Sequence, residues 1–141
     1  MFLLDTNVIS ELRKAKAGKA NRNVVAWVTS VPTESLFLSA IVIQELEIGA
    51  LLAKWRGAPQ GIILRTWLDD YVLPDFSERI LPVDTAVARR SAALHVPNPR
   101  PIRDGLIAAT ALVHGMTVVT RNVADFASTG VPIVNPWDHA A

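Results

Sequence analysis

Short runs of consecutive apolar residues alternate along the chain with longer stretches in which apolar residues recur every three or four positions. The runs are Phe2–Leu4, Leu36–Leu38, Ile80–Leu81, Thr117–Val119 and Pro132–Val134. A strand covered on both faces reads as such a run, so five strands are expected. Helical spacing marks Asn7 to about Lys14, Asn23–Ser30, Ala40–Arg56, Gly61–Leu73, Thr85–Leu94 and Arg103–His114. Strands separated by helices require right-handed crossovers between parallel neighbours, which implies an α/β fold in three layers, α/β/α.

Breakers agree with these boundaries. Gly57 and Pro59 separate two helices, Pro97, Pro99 and Pro101 force an extended link, and Gly115 ends the last long helix. Asp84 before TAVARR reads as an N-cap. With no internal repeat or linker, residues 1–141 are expected to form one domain, and a chain half of which is hydrophobic can bury a real core.

Charge changes this picture only locally. Fourteen basic against thirteen acidic residues leave a net charge of +1, too little for a global pull toward nucleic acid or membrane. Between Leu12 and Thr33, however, lie five basic residues (Arg13, Lys14, Lys16, Lys19, Arg22) and no acid, while Asp69 to Asp84 holds five acids against Arg79 alone. Each stretch has an ordinary reading as a solvated surface. The absence of cysteine excludes disulfides, zinc thiolates and thiol nucleophiles. MFLL runs at once into Asp5, and no run nears the roughly 18 apolar residues of a membrane span, so a cytoplasmic protein is expected. Trp27, Trp55, Trp67 and Trp137 are more simply core or subunit contacts than stacking platforms for bases, and His95, His114 and His139 lack ligand spacing.

The candidate chemistry lies in acids that do not fit a core. Asp5 follows the first strand and Asp125 follows TVVT by five residues; on central parallel strands both emerge at one sheet edge, where open α/β sheets form a crevice. Asp104 opens the helix RDGLIAATALVHG on the face of Ile107, Ala108 and Ala111, and alone it could simply complement the helix dipole. Glu45 and Glu47 share an otherwise apolar helix, and spacing does not choose between them. Four converging acids repel one another, with only Arg103 and Arg121 near enough in sequence to compensate. A divalent ion answers that need, and all-oxygen ligands select Mg²⁺ or Mn²⁺.

The blocks MFLLDTNVIS, SAIVIQELEIGA and RDGLIAATALVHGMTVVTRNVADF, in this order and at this spacing, resemble the PIN-domain ribonucleases, specifically the VapC-like toxins of bacterial toxin–antitoxin pairs, including the FitB-type members. The resemblance implies a five-stranded parallel sheet of order 3-2-1-4-5 and an acidic site for Mg²⁺ or Mn²⁺. Its motifs map the metal-site acids onto Asp5, Glu45 (the residue matching E-L-x-x-G), Asp104 and Asp125, with the first ion on Asp5 and Asp104. Thr6, Asn7, Thr120 and Asn122 fall where polar groups support those acids. Implied partners are an RNA substrate, a cognate antitoxin that inhibits the enzyme and links it to operator DNA only indirectly, and a second copy in a homodimer. Arg13, Lys14, Lys16 and Lys19, following the first strand, are placed to hold RNA phosphates.

Rival readings fare worse. A receiver-type phosphoacceptor needs an acidic pair after the first strand and a lysine late in the fold, where this chain has Asp5 alone and Arg121; a haloacid-dehalogenase phosphatase needs D-x-D, where the third residue is Asn7. Gly18-Lys19 lacks P-loop spacing. A non-catalytic PIN scaffold would have no use for a complete set of four acids.

Overall fold

A computed structural model describes residues 1–141. Five strands, β1 (Phe2–Leu4), β2 (Leu36–Ser39), β3 (Ile80–Leu81), β4 (Thr117–Val119) and β5 (Ile133–Val134), form one all-parallel sheet in the order β3-β2-β1-β4-β5. Flanking it are α1 (Thr6–Leu12), α2 (Arg22–Thr29), α3 (Ala40–Trp55), α4 (Gln60–Trp67), α5 (Leu73–Asp75), α6 (Thr85–Leu94), α7 (Ile102–His114) and α8 (Val123–Phe126). Sheet class, strand positions and strand order agree with the expectations from sequence.

The register sets the position of the site. Leu4 of β1 pairs with Val119 of β4, so both central strands end at one level. Leu3, Leu4, Val118 and Val119 are fully buried, as is Leu38 of β2. Each such side chain contributes roughly 2 kcal/mol by leaving water, and that burial draws the next residues, Asp5 and Thr120, into the sheet edge. The chain turns outward to β2 and β3 on one side of this pair and to β5 on the other, so the crevice opens between β1 and β4.

Helix ends have local causes. Asp5 caps α1 by accepting from Thr6 N, the Ser39 hydroxyl caps α3 by accepting from Ile41 N, and Asp84 caps α6 by accepting from Val87 N. Gly115 closes α7 at φ 66° and Gly57 turns the chain between α3 and α4 at φ 67°, backbone that disfavours a side chain. At Gly61 a Cβ would lie 2.9 Å from Lys54 N, so α3 and α4 pack in a tight hairpin.

Three segments depart from the periodicity. Helix α1 stops at Leu12 and a 3₁₀ turn (Ala15–Ala17) follows. The helix expected over Gly61–Leu73 runs from α4 through a π turn (Leu68–Val72) into α5. Leu73 N bonds to Leu68 O, five residues back, just before Pro74, which has no N–H to continue the regular ladder. Helix α8 lies in a stretch without helical periodicity, seated by the fully buried Phe126. Of the tryptophans, Trp27 is core, Trp67 and Trp137 are half-buried, and Trp55 stands 87% exposed, so it is no core residue.

Candidate metal centre at the β1–β4 edge

Asp5 is only 7% exposed and is the pivot of the edge. Its Oδ1 accepts from Thr6 N at 2.8 Å, and its Oδ2 accepts from the Thr120 hydroxyl at 2.8 Å and from Asn7 Nδ2 at 3.2 Å. Thr120, wholly buried, also accepts from Asn7 Nδ2 (3.2 Å) and from Asn122 N (3.0 Å). Asn7 Oδ1 accepts from Arg121 N at 3.2 Å. This network ties the turn after β4 to the first turn of α1 and fixes the carboxylate. Of the four supporting positions expected, Asn7 and Thr120 act through side chains, whereas Asn122 acts through its backbone N–H. Thr6 acts through its backbone N–H too, and its buried hydroxyl faces the Glu45 carboxylate and favours its ionised form.

Three hydrogen bonds favour ionised Asp5, yet burial outweighs them and, with the charge of Asp125, raises its pKa. Glu45, on the inward face of α3, is likewise pushed up by burial first and by Asp5 and Asp104, against the opposing Arg103. Asp104, half-buried in the first turn of α7, is raised by burial and then by Asp125 and Asp5, against Arg103 and Arg100. Asp125 itself is exposed in the first turn of α8. Residues from four separate elements thus share one field of like charge. Glu47 is different: it faces Arg65 on α4 in an ion pair that lowers its pKa, leaving Glu45 as the α3 acid turned to the edge.

The cations near this edge are arginines. Arg103 Nη1 lies 3.4 Å from Glu45 Oε2. Arg100 is held by Leu94 O and Ser128 Oγ, and Arg121 lies 5.2 Å over the Trp137 ring.

The donor set suits a hydrated divalent ion. No three Asp, Glu or His side chains are drawn together into an all-protein cage, but Mg²⁺ commonly takes one or two carboxylates and keeps several waters. Excess negative charge and raised carboxylate pKa values are what such an ion with its waters would relieve.

Arg13, Lys14, Lys16 and Lys19 line a different feature, a groove of about 990 Å³ between the segment after α1 and the α4–π-turn helix, whose lining includes none of the four acids. There the Arg13 guanidinium lies 5.9 Å over Trp67, Lys16 Nζ lies 4.2 Å over Tyr71, and Lys14 pairs with Glu11 at 3.2 Å. Sequence showed the charge but not the aromatic neighbours Trp67 and Tyr71, which come from a helical segment some fifty residues later.

Comparison with known proteins agrees with the geometry. The family model described as PIN domain matches residues 2–131. The chain is 40% identical to the VapC ribonuclease Y4jK of Sinorhizobium fredii, covering 99% of this chain and all of that one. It is 40% identical to toxin FitB of Neisseria gonorrhoeae, covering 97% and 99%. It superposes on a solved structure of FitAB bound to an IR36 DNA fragment with a TM-score of 0.87 and 37% identity, over 100% of this chain and 99% of that one. A family match across most of the chain, on a sheet of the expected order, makes this protein a member of the PIN-domain family.

Proposed function

We propose that this protein is a Mg²⁺- or Mn²⁺-dependent endoribonuclease, a single PIN domain over residues 1–141 that acts in the cytoplasm as the toxin of a toxin–antitoxin pair. The observation that carries this reading is the convergence of Asp5, Glu45, Asp104 and Asp125 at one sheet edge with too little positive charge to balance them. The similarity to a VapC ribonuclease and to toxin FitB supports it.

When bound, the ion would supply an acidified water as nucleophile and neutralise charge on the phosphate. Asp5 and Asp104 hold it in this reading. Asp5 is the better preorganised of the two, because its hydrogen bonds to Thr6, Asn7 and Thr120 fix both oxygens before any ligand arrives. Glu45 would orient the attacking water or, with Asp125, help to recruit a second ion. Asp125, the exposed acid, recruits a second ion or holds the first through water. The likeness to FitAB supports a cognate antitoxin that inhibits the enzyme and carries the contact with operator DNA. A homodimer is supported by the exposed stripe Ile48, Leu51, Leu52 and Trp55 on α3, spaced i, i+3, i+4, i+7.

RNA cleavage by antitoxin-free protein, with and without chelator, tests the reading. Wild type should cut RNA, lose all cutting in EDTA and regain it with Mn²⁺, and Asp5→Asn should stay inactive under every condition. Cutting that persists in chelator, or equal cutting by Asp5→Asn, would refute it.

The basic groove then serves RNA that runs beyond the cleavage point, through phosphate contacts without sequence readout. Joint replacement of Lys14, Lys16 and Lys19 by Ala is expected to flatten the salt dependence of RNA binding by about 0.7 in log–log slope for each phosphate that these lysines neutralise in wild type. An unchanged slope would return these lysines to the solvated surface.

A further inference from the structure

Of the fourteen Lys and Arg residues, Arg103 alone forms an ion pair with one of the four acids. Other cations around the edge are engaged elsewhere: Arg100 with a carbonyl and Ser128, Arg121 with the Trp137 ring. Arg103 precedes Asp104 in the first turn of α7, and its side chain is 60% exposed while its partner Glu45 is 20% exposed. A single contact of 3.4 Å joins them. So exposed an arginine, held at one point, gains little from the pair and is free to turn away.

We infer that Arg103 is a substrate-binding residue of the site, a guanidinium that balances Glu45 in the free protein and passes to an RNA phosphate when a divalent ion takes over the acids. This inference rests on the ribonuclease reading above and identifies a residue which that reading leaves unassigned. Charge decides the direction of transfer. With Asp5 and Asp104 holding a divalent ion near Glu45, the Arg103 guanidinium would be repelled from the carboxylates, and an arriving phosphodiester would offer it a new anion. Guanidinium geometry matches two phosphate oxygens at once, a stronger contact than the single one it leaves. Arg103 thereby delivers phosphate beside the acids, which otherwise repel it.

The test has two arms on the full chain, each comparing wild type with Arg103→Ala and Arg103→Lys. In the first, Mn²⁺ is titrated without RNA and free Mn²⁺ is followed by electron paramagnetic resonance. Arg103→Ala should bind Mn²⁺ as tightly as wild type or more tightly, since Glu45 is freed. In the second, fluorescence anisotropy follows a labelled single-stranded RNA, with Ca²⁺ as the ion and gel electrophoresis to check that the RNA stays intact. Arg103→Ala should bind RNA about tenfold more weakly, with a salt slope smaller by about 0.7, and Arg103→Lys should recover the slope. If wild type binds RNA and Arg103→Ala binds it with the same affinity and slope, the inference fails while the ribonuclease reading stands. Weaker Mn²⁺ binding by Arg103→Ala also overturns it, making Arg103 a prop for Glu45. Wild type that binds neither RNA nor Mn²⁺ overturns both.

Discussion

Asp104→Asn is expected to lose RNA cleavage by more than about a hundredfold, since even the groups that support metal ligands cost 10–100-fold when removed, and also to melt at a higher temperature than wild type in chelator at neutral pH. The two effects share one cause. Asp104 is half-buried among like charges, and burial, Asp125 and Asp5 together outweigh Arg103 and Arg100, so its ionised form is held against the field of the site. Asparagine keeps the shape and removes the charge. No hydrogen bond contributes to the pKa of Asp104, so the amide forfeits none. Asp5→Asn should behave differently. An amide nitrogen replacing Oδ2 would meet the donors of Asn7 and Thr120, and this mismatch opposes the relief of charge. Activity should therefore vanish in both variants while the rise in melting temperature belongs to Asp104→Asn. Paired thermal melts in EDTA decide the matter. A fall for Asp104→Asn would mean that the acids are not in conflict, and the case for a missing cation would lose its footing.

What could be read from sequence depended on how local its cause was. FLL followed by Asp5 and TVV followed by Thr120 placed two strand ends and their polar groups because hydrophobic burial and its termination are both written in adjacent residues. Parallel α/β architecture followed from the alternation of periods, whereas the strand order came from family resemblance, since no short pattern encodes which strands pair. Glu45 and Glu47 are two positions apart on one helix, and periodicity left them level. Arg65 separates them, eighteen residues from Glu47 and brought to it by the tight α3–α4 hairpin at Gly61. Helix α8 spans four residues, barely one turn and too short for its pattern to repeat, so Asp125 was legible as a residue but not as part of a helical turn. The Arg103–Glu45 pair is likewise tertiary. Charges were visible in the chain; their partners belonged to the fold.

A divalent ion should raise the melting temperature more at pH 7.5 than at pH 4.5, the ordinary value of Glu45, and this sign follows from three acids together. Asp5 and Asp104 have ordinary values of 3.8 and Glu45 of 4.5, and in the folded protein all three are raised, with burial the largest cause. Between the ordinary and raised values the native state binds more protons than the unfolded chain, so stability falls as pH increases. Stability owed to the neutral acids is thus fully present below their ordinary values and is lost as pH rises through the raised ones. Glu11, bound by Asn21 N and Lys14, and Glu47, bound by Arg65, run the opposite way, their lowered pKa values giving stability that is lost on acidification. Neither belongs to the acid cluster, so both cancel when melts with and without Mn²⁺ are subtracted at each pH. What survives is the competition between protons and the ion for Asp5, Glu45 and Asp104. With free ion a hundredfold above its dissociation constant the gain is about 2.7 kcal/mol, and it should shrink toward pH 4.5 as protons reclaim the carboxylates. An equal shift at both pH values would show that the ion binds elsewhere than at these acids, because at pH 4.5 a Glu45 raised above its ordinary value of 4.5 is mostly protonated and must lose its proton to meet the ion.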